Sequence, residues 1–335
     1  MALTYLQSLQ KGLKSLFEHD SRVILIGEDV LDPYGGAFKV TAGLSTLYPN
    51  RVFTTPISEA SITGLGAGLA LRGYLPIVEI MFGDFLTLCA DQIVNHAAKF
   101  PLMYKNVSCP LIIRTPMGGG RGYGPTHSQS IEKMFFGIPG LKVIAPSHFH
   151  EPGETLQRVV ENEKGPVIFI ENKMLYGEKL QESEFGLEID IVKDEMGYAV
   201  SIARNYTKGE ADVSLIAYGG ATRYLPSLLR ELKKEEIRVV AIFPELIDPF
   251  PRELLLRYAS QSSRIVILDE GHSGFNWATG IAAFLYENLW GRLDSPIKIV
   301  DTELSIIPTS YTQEAEMLIS KDKIENAILG AISWE

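Results

Sequence analysis

The chain reads as an α/β protein with two parallel-sheet domains. Short apolar runs rich in β-branched residues alternate with longer segments of helical period through the first half. A polar, acidic stretch at 176–198 then interrupts the pattern, and the same alternation resumes beyond it. A length of 335 residues is more than one core needs and comfortable for two.

The elements follow in order. Residues 1–20 place Leu3, Leu6, Leu9, Leu13, Leu16 and Phe17 at helical spacing, which predicts an amphipathic helix. Strands are predicted at Val23–Ile26, Ile77–Ile80, Leu111–Arg114, Val143–Ala145 and Val167–Ile170. Between them, helices are predicted over Glu59–Leu71, Asp84–Tyr104, Ser128–Phe136 and Glu151–Asn162. The stretch 176–198, with few periodic signals, reads as a connection. Strands at Val213–Ala217, Val239–Phe243, Ile265–Leu268 and Ile297–Val300 follow, with helices at Thr222–Lys234, Pro251–Ser260 and Asn276–Leu289. No internal repeat or low-complexity tract interrupts the series.

Bulk composition narrows the function classes. A net charge of −10 argues against nucleic acid as a main partner, because phosphate contacts need a basic surface. Cys89 and Cys109 make no disulfide framework and no metal-ligand spacing, so a reducing, cytoplasmic compartment is expected. The N-terminus lacks the continuous apolar core and small-residue cleavage site of a secretory signal. The most apolar stretch, Ile62–Phe82, is broken by Arg72, Gly73, Pro76 and Glu79, which argues against a membrane span.

Three constellations could carry chemistry. In Thr55–Glu59, Glu59 stands where an extended segment turns into a helix. There an acidic residue is more often an ordinary first-turn charge. The glycines after it fit a dinucleotide fingerprint badly, since a helical turn already separates them from the strand. Gly64 and Gly68 instead suggest a helix face built for close approach. In Glu79–Phe85, Asp84 can cap the next helix, and Phe82 and Phe85 lie three residues apart, as core aromatics often do. Asp91, Gln92, Asn95 and Lys99 form a polar stripe that a solvated face explains equally well. In Arg114–Ser130, a glycine-rich loop leaves a strand and ends in His127. A histidine there is more often a cap or a surface residue, but so many glycines give the backbone freedom that a plain connection does not need.

Taken together, TPISE, EIMFGDF with ADQIVNHAAK, THSQS with GIPGLKVIAPS, and PVIFIENKMLY resemble the beta subunits of pyruvate and branched-chain 2-oxo acid dehydrogenases. The phrases occur in the family's order over about the first half of the chain. The resemblance implies a transketolase-like pyrimidine-binding domain at 1–178, a connection at 179–198 and a transketolase C-terminal-like domain at 199–335. It implies thiamine diphosphate as cofactor, shared with an alpha subunit in an α2β2 heterotetramer. Glu59 matches the carboxyl group that hydrogen-bonds the cofactor's aminopyrimidine, and burial raises a carboxyl pKa, so proton sharing there is expected. Phe85 matches the aromatic that packs on that ring, and Glu28 a further acidic residue near it. His127 matches the histidine that serves the substrate and acyl transfer to lipoyl.

The chain contains no Gly-Asp-Gly, the motif that holds the diphosphate through Mg2+ in such enzymes. No metal ligand is therefore expected in this chain, and Mg2+ is expected on the alpha subunit. The second half departs from the family: VVAIFPE stands where an Ile-Asp-Leu-Arg-like run is usual, and EGHSGFN keeps only part of a glycine-rich motif. That leaves the lipoyl acyltransferase (E2) partner open. EIMFGDF leans toward the branched-chain members. The expected activity is oxidative decarboxylation of a 2-oxo acid with acyl transfer to lipoyl. The alternatives are the pyrimidine-domain subunit of a split transketolase, with an aldose as acceptor, and a non-catalytic assembly subunit.

Overall fold

A computed structural model describes residues 2–184 and 186–334. The chain forms two compact units, neither of them one continuous stretch: Met1–Met117 with Met134–Ile144 and Glu151–Leu180, and Gly118–Lys133 with Ala145–His150 and Gln181–Glu335.

The first unit opens with helix α1 (Tyr5–His19). Thr4 and Gln7 start it with a reciprocal capping box, and Leu9, Leu13, Leu16 and Phe17 are buried along one face, as their spacing predicts. Strand β1 (Val23–Gly27), the short helix α2 (Leu44–Leu47), β2 (Val52–Thr54), α3 (Glu59–Leu71) and β3 (Leu75–Glu79) follow. The predicted helix over Asp84–Tyr104 is in fact segmented. It runs as a 3-10 turn at Gly83–Phe85, helix α4 (Leu86–Asp91), a π-helical stretch at Gln92–Ala97 and α5 (Phe100–Met103). Asp84 is buried inside the 3-10 turn, and no side chain caps α4. Strands β4 (Ile112–Met117) and β5 (Lys142–Ile144), helix α6 (Pro152–Asn162) and strand β6 (Val167–Asn172) complete the unit.

Within this unit the strands lie in the order β5-β6-β4-β3-β1-β2, all parallel. The central strands are buried along their whole length, which explains their unbroken apolar runs. Strand β2 escaped the sequence reading because it has three residues at the sheet edge, two of them exposed. The predicted helix at Ser128–Phe136 reduces to a 3-10 turn at Glu132–Phe135. On α3 the close approach falls at Gly66, where a Cβ would lie 2.6 Å from Val78 and 2.8 Å from Leu111, whereas one at Gly68 would meet nothing within 4 Å.

The second unit contains β7 (Glu188–Lys193), β8 (Ala199–Arg204), β9 (Val213–Ile216), α7 (Leu225–Lys234), β10 (Val239–Pro244), β11 (Leu246–Asp248), α8 (Arg252–Ala259), β12 (Ile265–His272), α9 (Trp277–Leu289), β13 (Lys298–Thr302), α10 (Tyr311–Met317) and α11 (Lys321–Ile332). Its sheet runs β13-β12-β9-β10-β8-β7. Four strands are parallel, and β8 and β7 add antiparallel at one edge. Segment 176–198, read as connection, therefore holds strand β7. Its Ile189 and Ile191 alternate with charged residues, and as an exposed edge strand it lacks the apolar run that marks a central one. Phe149, Leu215, Phe243 and Leu268 lie in this unit's core, with the rings of Phe149 and Phe243 4.4 Å apart.

Candidate active site

The parallel sheet of the first unit gathers charged residues at the carboxyl ends of its strands, the edge where α/β folds place their sites. Glu28 follows β1 directly and is 7 % exposed; Glu59 opens α3 and is 6 % exposed. The Ser58 N–H donates to the Glu28 carboxyl and so ties the end of β1 to the start of α3. Burial raises the Glu28 pKa above the ordinary carboxyl range; the charges of Glu59 and Asp29 push the same way. Glu28 Oε1 is buried and has no hydrogen-bond partner among the described residues. Two carboxyl groups are thus held close enough to feel each other's charge, and one has an unused acceptor.

Thr63 lies one turn after Glu59 and is fully buried. Behind the pair sits the Cys89 thiol. Burial pushes its pKa up to about 12, with Glu59 and Glu28 adding to the rise and the Thr63 hydroxyl opposing it. Phe85, half-buried at the end of its 3-10 turn, meets Phe82 edge-on at 6.1 Å between ring centroids. Phe82 in turn meets Phe38, and Phe38 stacks on Tyr176 at 5.3 Å. The predicted Phe82–Phe85 pair therefore exists, and it belongs to an aromatic row rather than to a closed core.

A second cluster on the same edge escaped the sequence reading. Arg114, 1 % exposed, donates from Nε and Nη2 to the two oxygens of Glu171, at 2.6 and 2.7 Å, and from Nη1 to Glu79 at 2.9 Å. Tyr176 donates to Glu171 at 2.9 Å. Burial opposes the Arg114 charge, but the two carboxylates outweigh it and raise its pKa. Burial also lifts Glu79, with Arg114 pulling the other way. The available signal was a charged residue at the end of each of three apolar strands, but only strand register shows that they meet: Glu79 pairs with Arg114 across β3–β4, and Pro116 with Glu171 across β4–β6.

His127 belongs to the second unit. It lies in a turn, half-buried, with Nδ1 2.9 Å from the Thr126 hydroxyl and its N–H donating to Gly124 O at 3.3 Å. No helix starts there, so the backbone geometry that would make it a cap is missing. Asp91, Asn95 and Lys99 are exposed and bond one another along their helical face, so that stripe is solvated surface. No helix among the described residues is long and apolar enough to cross a membrane, and both cysteines are buried free thiols.

Comparison with known proteins places the chain in a family. Residues 1–179 match the model of the transketolase pyrimidine binding domain, and residues 204–324 that of the transketolase C-terminal domain. The chain is 32 % identical to the 2-oxoisovalerate dehydrogenase subunit beta of Bacillus subtilis, over 97 % of both chains. It is 32 % identical to the beta subunit of acetoin:2,6-dichlorophenolindophenol oxidoreductase of Cupriavidus necator, over 92 % of this chain and 90 % of the relative. It is 30 % identical to the mitochondrial pyruvate dehydrogenase E1 component subunit beta-1 of Arabidopsis thaliana, over 94 % of this chain and 85 % of that one. A solved structure described as a split-gene transketolase, an inactive beta4 tetramer, shares the fold at a TM-score of 0.73, with 18 % identity and 99 % of each chain covered. The chain belongs to the family of E1 beta subunits of the 2-oxo acid dehydrogenases, oxidoreductases that depend in general on thiamine diphosphate.

Proposed function

We propose that this chain supplies the aminopyrimidine-binding half of a thiamine-diphosphate-dependent E1 that oxidatively decarboxylates a 2-oxo acid, pyruvate or a branched-chain acid, and passes the acyl group to lipoyl. The observation that carries this reading is the buried Glu28–Glu59 carboxyl pair with an unfilled acceptor at Glu28, set at the carboxyl edge of a parallel sheet. These residues suit an aminopyrimidine. Glu59 would take the ring nitrogen, Glu28 supports it, and Phe85 offers an aromatic face. When bound, thiamine diphosphate supplies the electron sink for breaking the bond to the departing carboxylate. Glu28 holds a proton more readily than an isolated carboxyl, because burial and the nearby Glu59 charge both favour its neutral form. Glu59 can then accept or return that proton. His127, by resemblance, serves the acyl transfer. An alpha subunit would hold Mg2+ and the diphosphate in an α2β2 heterotetramer, a lipoyl acyltransferase would receive the acyl group, and the assembly would work in the cytoplasm.

Calorimetry of thiamine diphosphate with Mg2+ should show no binding to this chain alone and tight binding once the alpha partner is added. Tight binding by the chain alone would mean the diphosphate site lies elsewhere. Glu59→Gln in the assembled enzyme should leave assembly intact and cut decarboxylation by roughly 10²–10⁴-fold. Unchanged turnover would sink the assignment, and turnover with an aldose in place of lipoyl would favour a split transketolase.

A further inference from the structure

The glycine-rich loop after β4, its turn at His127 and helix α10 all belong to the second unit. Glu314, in the middle of α10, is 1 % exposed. Its Oε1 accepts the Gly120 N–H at 2.9 Å and its Oε2 the Gly122 N–H at 2.7 Å, so one carboxyl group grips the loop at alternate residues. The loop is moulded to the same segment along its length. A Cβ on Gly119 would lie 2.7 Å from Leu318; one on Gly122, where φ is +68°, would lie 3.0 Å from the Tyr311 ring and 3.1 Å from Thr309 O; one on Gly124 would lie 2.5 Å from the Thr309 methyl. These contacts explain the run of glycines, because a side chain at 122 or 124 would push the loop off Glu314. From Gly124 the path continues to the histidine, whose N–H bonds Gly124 O and whose ring meets the Thr126 hydroxyl.

We infer that Glu314 is a positioning residue for His127: it fixes the loop from which His127 is presented and so sets the acyl-transfer step. This rests on the reading of His127 as the acyl-transfer histidine. Part-buried N–H groups paired with a buried carboxyl hold one loop conformation, since releasing them leaves that carboxyl unpaired. A ring displaced by even an ångström loses much of its rate advantage.

The test uses the enzyme assembled with its alpha partner. Glu314→Ala should raise amide hydrogen exchange in the peptide spanning 118–127 at least tenfold. It should lower the kcat of acyl transfer to a lipoyl acceptor about tenfold or more, with the KM for the 2-oxo acid unchanged. Glu314→Gln keeps one acceptor oxygen and should recover most of both. Gly122→Ala, which leaves the carboxyl in place and strains the loop, should reproduce the selective loss and decides the matter if Glu314→Ala fails to fold. Faster exchange with unchanged transfer would overturn the positioning role, and unchanged exchange would overturn the clamp itself. His127→Ala is the control. If it leaves transfer intact, the reading of His127 has failed, while the exchange data still judge the clamp.

Discussion

Two buried clusters, one in each unit, hold acidic groups in opposite ways. In the first, Glu79 and Glu171 share the guanidinium of Arg114, so two carboxylates are answered by a cation. In the second, Glu132 and Asp269 converge on the hydroxyl of Tyr218, and among the described residues no cation joins their hydrogen bonds. Asp269 is compensated by backbone donors instead: Oδ1 accepts from Gly271 N at 2.7 Å, and Oδ2 from Ala278 N at 2.8 Å in the first turn of α9. Glu132 has only its own backbone N–H for this. Its Oε2 has no partner among the described residues, and burial, reinforced by the charge of Asp269, pushes its pKa up to about 8. One hydroxyl hydrogen cannot serve two carboxylates. If Tyr218 donates to Asp269, a protonated Glu132 completes the cluster by donating to the Tyr218 oxygen. A guanidinium therefore opposes the rise that burial causes at Glu79, whereas at Glu132 only neutral donors oppose it and the Asp269 charge adds to it.

The largest expected effect comes from breaking the compensated cluster. Arg114→Met leaves Glu79 and Glu171 buried without a counter-charge and should cost about 3–5 kcal/mol at neutral pH. Part of that should return near pH 5 as the carboxyls take up protons, which would make the first unit resemble the second. A thermal midpoint that is unchanged, or equally low at both pH values, would contradict the account.

Next in size is Glu132→Gln. The folded-state pKa of Glu132 lies above that of an ordinary carboxyl, so the native state favours the protonated form. The stability tied to that proton is fully present below the ordinary carboxyl range and is lost as pH rises through about 8. Glutamine has no proton to lose, so the variant should be more stable than the parent at pH 9, by on the order of 2–3 kcal/mol, and nearly equal to it at pH 5. Parallel melting curves over that range would show the charge to be compensated after all. The smallest effect is expected at Glu28→Gln, which relieves repulsion with Glu59 and should add about 1 kcal/mol above neutral pH, a usual return for easing a functional site. A fall in the midpoint would instead make the Glu28 charge stabilising.

The contrast also marks what sequence alone could reach. Most central strands and the amphipathic α1 and α6 are written in local periodicity and stand where the spacing put them, but the buried β8 was missed. Strands β2 and β7 were hidden because a short or exposed edge strand has no buried face to advertise. Glu59 and Phe85 were singled out by their motif, and the structure adds that Glu59 is buried and that its charge reaches Glu28. Arg114 with Glu171, Glu132 with Tyr218, and Glu314 with its loop join residues 57, 86 and more than 190 positions apart; no window along the chain brings such pairs into view.

That last separation bears on how the chain is made. Synthesis runs from the N-terminus, and domains generally fold as they emerge. The last segment of the first unit ends at Leu180, whereas the loop at 118–124 belongs to a unit completed only by the C-terminal helices. Gly120 and Gly122 must therefore wait for Glu314, through nearly two hundred further residues, before their amides are satisfied. Through that interval the loop lacks the carboxyl group that grips Gly120 and Gly122, so this contact is among the last that translation completes.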